Sequence, residues 1–288
     1  MRPEERQRGN AARLAKMGRL FGLEAYGPAE IADRVEQQGV QKARLPIAAT
    51  FMLGMIGGGF IALGAMSHTV VVSDPGLSPG AARLAGGVFF AMGYLIAISA
   101  GGEVFTSNNL VMMSWAARRI STRRLLRNWS VVLLANAVGA IGLAVLVMLA
   151  GQPDTHGGNT GSYIVALGAD KADEPFRIAF FKGVGGNLLI CMGVWIAMGA
   201  RTLTDKFVGP LLPIAALPIV NFEHSVGNLF YLPMALMLQA TGVEADNGAI
   251  VSYLGSIRNF LAVAAGNIVG GSIMVALVYH VIYRRLDK

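Results

Sequence analysis

Residues 93–115 read GYLIAISAGGEVFTSNNLVMMSW, an apolar run with a group of polar residues at its centre. The run is long enough to cross a bilayer, which takes about 20 predominantly apolar residues. Non-helical backbone at membrane depth is tolerated only where it is buried in protein or lines a polar cavity. The run therefore predicts a membrane helix that is broken near its middle, beside such a cavity.

A second run has the same character. Residues 213–234 read PIAALPIVNFEHSVGNLFYLPM, and Pro218, Asn221 and Glu223 begin its polar interruption. The two interruptions have corresponding places in two halves of three apolar runs each. Because three is an odd number, the second half must cross the membrane in the opposite sense. This arrangement predicts an inverted 3+3 repeat, as found in channels and secondary transporters.

The composition agrees with a membrane protein. Of the 288 residues, 54% are hydrophobic and only 14% are charged, whereas an average soluble chain has about 25% charged residues. Too few polar side chains are present to cover a soluble body of this size. The net charge of +7 does not predict a nucleic-acid partner, because the basic residues lie between apolar runs without interleaved aromatic residues. The single cysteine, Cys191, excludes an intrachain disulfide.

We therefore predict an all-α membrane protein with six transmembrane helices, two of them broken. The six runs cover residues 45–67, 83–116, 129–151, 176–200, 207–240 and 258–283. Arginine and lysine concentrate in the segments after the second, fourth and sixth runs. By the positive-inside rule, these segments and both termini lie on the cytoplasmic side of the inner (plasma) membrane.

The chain before the first run is polar and mixed in charge. We assign residues 1–44 to a cytoplasmic N-terminal segment and residues 45–285 to the transmembrane channel domain. Pro28 begins a short amphipathic helix in which Ile31 and Val35 share a face. This face either lies against the membrane or the bundle, or the helix is solvated.

Among the four histidines, His224 lies inside the second break. Ionisable groups inside a membrane are functional by default, and imidazole changes its charge most readily near neutral pH. A structural histidine bonded to an unwound carbonyl is the alternative. No second ligand stands beside His224 at metal-binding spacing, so no metal or cofactor is predicted. His68, His156 and His280 are interpreted as interfacial or loop residues.

Other polar side chains lie near the two breaks. The Thr106 hydroxyl can donate to an anion or to His224. Asn187 lies deep in the fourth run, where an unpartnered amide is costly, so a pore-lining or inter-helix role is predicted. Asn136 and Asn267 are interpreted mainly as contacts between helices.

Each break also contains a carboxylate, Glu103 in the first and Glu223 in the second. A carboxylate facing a pore would repel anions. We therefore expect both to accept hydrogen bonds from exposed N–H groups of the broken backbone, as a helix cap does. Ser107 and Asn228 are expected to support the breaks in the same way.

The ends of the broken helices indicate the sign of the substrate. Helix N-termini present unpaired N–H groups and partial positive charge, so an anion is the expected guest. Lys171 and Lys182 precede and enter the fourth run. Each either attracts anions to an entrance or extends to the membrane interface.

Four segments together resemble the formate/nitrite transporter family. They are GGEVFTSNNL (101–110), KGVGGNLLICMGVWIAMGARTLTDK (182–206), NFEHSVGN (221–228) and GNIVGG (266–271), in this order and at these separations. The likeness covers about residues 28–285. It implies a homopentamer in the lipid bilayer, with an aquaporin-like protomer. Each protomer would have its own pore for small monovalent anions such as formate, nitrite or hydrosulfide, and often acetate or lactate.

The resemblance also implies roles for individual residues. By this likeness His224 is the central histidine, Thr106 faces it, Asn187 lies nearby, and Lys171 is the lysine of the vestibule. Hydrophobic constrictions of the pore fall at Phe90, Tyr94, Ile190 and Leu217. Of these, Tyr94 and Leu217 depart from the residues of the formate branch.

The predicted function is a pH-dependent channel or transporter, rather than an enzyme, for the anion of a small weak acid. Lys171 attracts the anion, and Thr106, Asn187 and His224 bind it at the centre. Desolvation raises the pKa of the substrate, and a proton from water or from His224 lets it cross as the neutral acid.

Formate is the first choice of substrate, because the FTS sequence at 105–107 resembles the formate branch of the family. Nitrite or hydrosulfide is the alternative within the family. A neutral-solute channel of the aquaporin class shares the two breaks, but its NPA signatures are absent. An intramembrane hydrolase using Ser107 or Ser225 with His224 lacks the GxSxG setting that such a nucleophile needs.

Overall fold

The computed structural model describes residues 24–286, and this part of the chain is helical throughout, without a strand. The predictions for residues 1–23, and the last two residues, lie outside the described part. The helices are α1 Pro28–Arg44, α2 Ile47–Val72, α3 Pro79–Ala100, α4 Phe105–Asn108, α5 Met112–Ala116, α6 Thr122–Leu149, α7 Asn159–Asp173, α8 Phe176–Met198, α9 Leu203–Ile219, α10 Ser225–Ala240 and α11 Tyr253–Ile268. Helix α11 continues through π-helical turns as far as Arg285.

Five helices of the described chain are long and apolar enough to cross a membrane. They are Ile47–Val72, Pro79–Ala100, Thr122–Leu149, Phe176–Met198 and Tyr253–Arg285. The predicted fifth run, 207–240, instead forms α9 of 17 residues and α10 of 16 residues, separated by a break. Because each of these is too short to span alone, the count of six spans stays a prediction.

Both predicted breaks are present. Helix α3 ends at Gly101, whose φ of 91° lies in the left-handed region that glycine adopts without strain. The chain is extended at Val104 before α4 begins. In the second half, Asn221 has a φ of 57° after α9, and His224 is extended before α10. Asparagine is among the residues that tolerate the left-handed region.

The two halves make the same backbone contacts at constant offsets in sequence. The N–H of Glu103 donates to the carbonyl of Leu53 at 3.0 Å, and the N–H of Glu223 donates to the carbonyl of Lys182 at 3.2 Å. Helix α8 therefore follows α2 at an offset of 129 residues, and the second break follows the first at 120. The inverted repeat is thus visible in individual hydrogen bonds.

The repeat also includes the helix that precedes each of these spans. Lys42 on α1 contacts Glu103, and Lys171 on α7 contacts Glu223. These lysines are again separated by 129 residues. Helix α7, in the segment that the sequence analysis treated as a connection, is therefore the counterpart of α1.

Helix α1 packs against the ends of the bundle helices. Ile31 and Val35 are 8% and 3% exposed, so the apolar face of α1 lies against protein rather than lipid or water. Glu36 is buried and forms ion pairs with Arg119 and Arg284, each at 3.0 Å. These contacts tie α1 to both halves of the protein.

Candidate functional site

A buried asparagine holds the first break in place. The Asn136 side chain on α6 accepts a hydrogen bond from the N–H of Phe105, the first residue of α4, at 2.8 Å. Its amide group donates to the carbonyls of Gly54 at 2.7 Å and Glu103 at 2.8 Å. One side chain thereby bonds two backbone groups of the break, the N–H of Phe105 and the carbonyl of Glu103, and links them to the carbonyl of Gly54 within α2.

Asn267 does the same for the second break. It accepts from the N–H of Ser225 at 2.8 Å and donates to the carbonyls of Gly183 at 2.8 Å and Glu223 at 3.1 Å. The sequence analysis interpreted Asn136 and Asn267 mainly as contacts between helices. The structure shows that they also cap the broken helices, and each is completely buried.

The expectation that the two glutamates cap backbone N–H groups is wrong. Glu103 instead pairs with Lys42 at 3.1 Å and accepts from the Asn108 amide at 2.5 Å. Asn136 and Asn267 already occupy the N–H groups that begin α4 and α10. A buried carboxylate is more fully compensated by an ammonium and an amide, which form charge-assisted hydrogen bonds.

Glu223 repeats this arrangement in the second half. It pairs with Lys171 at 2.6 Å and accepts from the Asn228 amide at 2.7 Å. The ammonium of Lys171 also lies 5.6 Å from the ring centre of Tyr231. Lys171 is therefore a neutralised partner of Glu223 rather than a free cation. Lys182, the other candidate, forms an ion pair with Glu174.

Two cavities approach the protein centre from opposite breaks. The cavity at the second break, which we call the outer cavity after the orientation predicted from the sequence, has a volume of about 350 Å³ and is lined by His224, Lys171, Phe90 and Leu217 among others. The inner cavity has a volume of about 150 Å³ and is lined by Lys42, Glu103, Ser107 and Lys206 among others. Helix α1 thus supplies the inner cavity with a lysine, as α7 supplies the outer one.

His224 and Thr106 meet at the inner end of the outer cavity. Their side chains join the two breaks through a hydrogen bond of 2.8 Å between Nε2 of His224 and Oγ1 of Thr106. The hydroxyl of Tyr94 lies 2.9 Å from the same Thr106 oxygen. The predicted central pair is therefore assembled, with Tyr94 as a third member.

The partner of the other imidazole nitrogen fixes the tautomer of His224. Nδ1 accepts the N–H of Gly227 at 3.0 Å, so it carries no proton. The proton of the neutral ring is then on Nε2 and donates to Thr106. The Thr106 oxygen has two lone pairs, so it can accept this bond and share a second hydrogen bond with the Tyr94 hydroxyl in which either group donates.

The four predicted constriction residues are all buried, with exposures of 4% for Phe90, 1% for Tyr94, 0% for Ile190 and 3% for Leu217. Phe90 packs edge-on against the His224 ring at a centroid distance of 6.2 Å. Tyr94 and Ile190 line neither cavity. The side chains between the two cavities are thus closely packed in this conformation.

Asn187 lies beside this centre, but its donors are occupied. Its amide donates to the carbonyls of Asn267 at 2.7 Å and Thr106 at 3.2 Å. No N–H of Asn187 remains for an anion in this conformation, so the structure assigns it the inter-helix role. Ser107 donates locally to the carbonyl of Val104 at 2.9 Å, which stabilises the first break.

The remaining histidines differ from one another. His68 is 9% exposed and lines the outer cavity, so its interpretation as an interfacial or loop residue is wrong. His156 lies in the turn before α7, with Nε2 at 3.1 Å from the carbonyl of Val70. His280 is buried near the end of the last helix.

Some contributing residues were not identified from the sequence. Lys42 lies in a segment that was kept apart from the channel domain. Asn108 belongs to the first break, but no partner was predicted for it. Both halves nevertheless place an asparagine five residues after the glutamate of the break. That repeated spacing, Glu103 to Asn108 and Glu223 to Asn228, is the signal that could have identified the pairs.

Two broken helices that meet at a buried imidazole, with a cavity on either side, define a membrane transport protein. A family model described as formate/nitrite transporter matches residues 29–281. The formate channel FocA of Escherichia coli (strain K12) is 32% identical over 269 residues, covering 90% of this chain and 94% of that relative. FocA of Haemophilus influenzae is 31% identical over 275 residues, covering 92% and 97%.

A solved structure, a pentameric formate channel with formate bound, superposes with a TM-score of 0.76. It is 33% identical and covers 82% of this chain and 97% of its own chain. The chain belongs to the formate/nitrite transporter family. Membership confirms the resemblance found in the sequence, and it excludes the hydrolase alternative. In agreement, the Ser225 hydroxyl has no hydrogen-bond partner in the described chain, and His224 bonds to Thr106 instead.

Proposed function

We propose that this protein is a channel for the small monovalent anion of a weak acid, with formate as its principal substrate. The observation that carries the proposal is the hydrogen bond between Thr106 and His224 at the closed end of the outer cavity. It offers two hydrogen-bonding groups in a site that is otherwise apolar and buried. The FocA relatives at 31–32% identity are named as formate channels, which supports formate.

The site favours an anion electrostatically, although the site itself carries no permanent net positive charge. Helix α10 has 16 residues and begins at Ser225, directly beside His224. Its N-terminus contributes partial positive charge at this place. Each buried glutamate is neutralised by a lysine, so neither carboxylate opposes the approach of an anion.

The geometry of His224 also indicates the source of the proton that neutralises the substrate. A charged His224 would need a proton on Nδ1, where the N–H of Gly227 already donates. Charging the ring therefore costs this hydrogen bond as well as desolvation. We infer that neutral His224 donates its Nε2 proton as a hydrogen bond to the anion. A proton from the solution, relayed by water in the cavity, then neutralises the substrate, whose pKa rises as it loses hydration, so the acid and the proton cross together and no hydroxide is left in the site.

The constrictions explain how an anion can cross without a charged pore. Phe90, Tyr94 and Ile190 separate the two cavities with closely packed apolar surface. Moving an isolated charge through such surface is far costlier than moving the neutral acid. Their packing also restricts passage to small substrates.

We further propose a homopentamer in the inner membrane, with both termini in the cytoplasm. The related solved structure is described as pentameric. Large apolar side chains are exposed along several helices, including Leu134 at 65%, Leu149 at 84% and Leu212 at 75%. Such surface suits contact with lipid and with neighbouring subunits. The arginines after the second predicted run support the orientation.

The proposal is tested by uptake into proteoliposomes from a panel of formate, nitrite, hydrosulfide, lactate and glycerol. We expect formate to give the highest rate and to be taken up together with one proton. A higher rate for nitrite or hydrosulfide would replace formate as the substrate. Uptake of glycerol without formate would overturn the proposal in favour of a neutral-solute channel.

A further inference from the structure

His68 is a second imidazole in the outer cavity. It lies near the end of α2 and lines the same cavity as His224. The Phe90 ring packs edge-on against both imidazoles, with centroids 6.3 Å from His68 and 6.2 Å from His224. The Phe90 ring therefore packs against two imidazole rings that line one cavity.

His68 makes no hydrogen bond of standard geometry with the described part of the protein. Nδ1 is buried beside Gly86, whose backbone is close enough to interact with the ring without forming such a bond. Nε2 has no partner among residues 24–286 either, and it is not enclosed. A polar ring held at 9% exposure without a partner is costly unless a bound molecule or water completes it.

The repeat shows that the fold does not require an imidazole at this position. The residue 129 positions after His68 is Ala197, which lines the inner cavity. The inner cavity has its own additional basic side chain, Lys206, which follows Gly86 at the 120-residue offset of the breaks. Each cavity thus has a basic residue whose counterpart in the other half of the repeat is a small residue. His68 is a specific feature of the outer side.

Few other charged side chains around the outer cavity are free to bind an anion, so His68 has a role to fill there. Lys171 is neutralised by Glu223, and the other positively charged residue that lines this cavity is Arg83 on α3. Arg83 is exposed and makes no ion pair or hydrogen bond with any described residue. Tyr163 on α7 also lines the cavity, and burial raises the pKa of its hydroxyl, which therefore remains a donor.

We propose that His68, Arg83 and Tyr163 form an outer docking site that binds the substrate anion before it reaches His224. Arg83 attracts the anion at the mouth, and Nε2 of His68 donates to it at the deeper end. Transfer to His224 then needs only passage around the Phe90 ring. This inference rests on the proposed function, because the ligand of the docking site is the anion that is transported.

The test measures formate uptake into right-side-out and inside-out membrane vesicles, with the His68→Ala variant introducing the residue of the other half. We expect the half-saturating formate concentration to rise about three- to tenfold for entry from the outer side, the effect of one lost hydrogen bond. Entry from the inner side should keep its half-saturating concentration. His68→Asn, which retains a donor, should recover part of the loss, and His156→Ala should behave as the wild type.

The outcomes separate this inference from the proposed function. Wild-type formate uptake with an unchanged half-saturating concentration in His68→Ala would overturn the docking site alone. An equal change from both sides would also overturn it, because that result indicates a general structural effect. Absence of formate uptake by the wild-type protein would overturn both proposals.

Discussion

The hydroxyl oxygen of Thr106 lies 2.8 Å from Nε2 of His224, and this contact links the two breaks of the protein. Thr106 belongs to the first half and His224 to the second. Both are buried, with exposures of 0% and 3%. Because Nδ1 of His224 accepts from Gly227, Nε2 donates to Thr106, whose hydroxyl also shares a hydrogen bond with Tyr94. The substrate must compete with this chain when it reaches the centre.

Replacing Thr106 tests whether its hydroxyl takes part in transport. Thr106→Val keeps the shape of the side chain but leaves Nε2 of His224 without its acceptor. We expect formate flux in proteoliposomes to fall roughly tenfold. Thr106→Ser retains the hydroxyl and should keep most of the flux. Equal flux in the valine and serine variants would contradict the assigned role.

Tyr94 restrains the Thr106 hydroxyl, so its removal should change substrate affinity. In Tyr94→Phe the Thr106 hydroxyl loses its hydrogen bond to Tyr94 and becomes free to donate its proton to an anion. We expect the half-saturating formate concentration to fall by about two- to fivefold, with a lower melting temperature. Tyr253→Phe, at a tyrosine that is 68% exposed, is the control. A higher half-saturating concentration in Tyr94→Phe would contradict the restraint of Thr106 by Tyr94.

Asn136 and Asn267 should contribute equally to stability, because each bonds the same two backbone groups of its break and a carbonyl of the neighbouring helix. Asn136→Leu and Asn267→Leu each remove the buried partner of those two groups of the break. We expect each change to lower the free energy of unfolding by about 3–5 kcal/mol, measured by denaturation of the purified protein in detergent. Asn159→Ala, at an exposed position, should have little effect. A large cost at one asparagine and none at the other would contradict the equivalence of the breaks.

The pair of Lys171 and Glu223 is expected to show strong coupling. Lys171→Met alone leaves a carboxylate that is 3% exposed without its cation and should cost about 3–5 kcal/mol. Adding Glu223→Gln removes the uncompensated charge and should recover at least half of that cost. A double-mutant cycle of unfolding free energies measures the coupling. Simple addition of the two single costs would show that the pair is not a unit.

The sequence was sufficient to predict the breaks and the repeat. Gly101 and Glu103 inside an apolar run, and Pro218 to His224 inside another, conflict with a continuous membrane helix. The central pair of Thr106 and His224 followed from the resemblance to the family. Such features depend on residues close together in the chain, so their pattern is visible without a structure.

The partners of the buried groups could not be predicted in the same way. Asn136 caps a residue 31 positions away and Asn267 one 42 positions away, so neither pairing has a local signal. Helix α7 was overlooked because it is short, and its equivalence to α1 depends on contacts with the breaks. His68 was misinterpreted because its position near the end of an apolar run resembles an interface, although Gly86 leaves room for its ring inside the bundle.

The most direct test of the central claim compares formate flux in proteoliposomes of the wild type and His224→Phe between about pH 5 and pH 8. We predict that wild-type flux increases as the pH falls, because protonation of the substrate becomes easier. His224→Phe should lose at least about tenfold in flux, together with this pH dependence. His156→Phe serves as the control for loss of a histidine outside the pathway. Wild-type flux and pH dependence retained in folded His224→Phe protein would contradict the account.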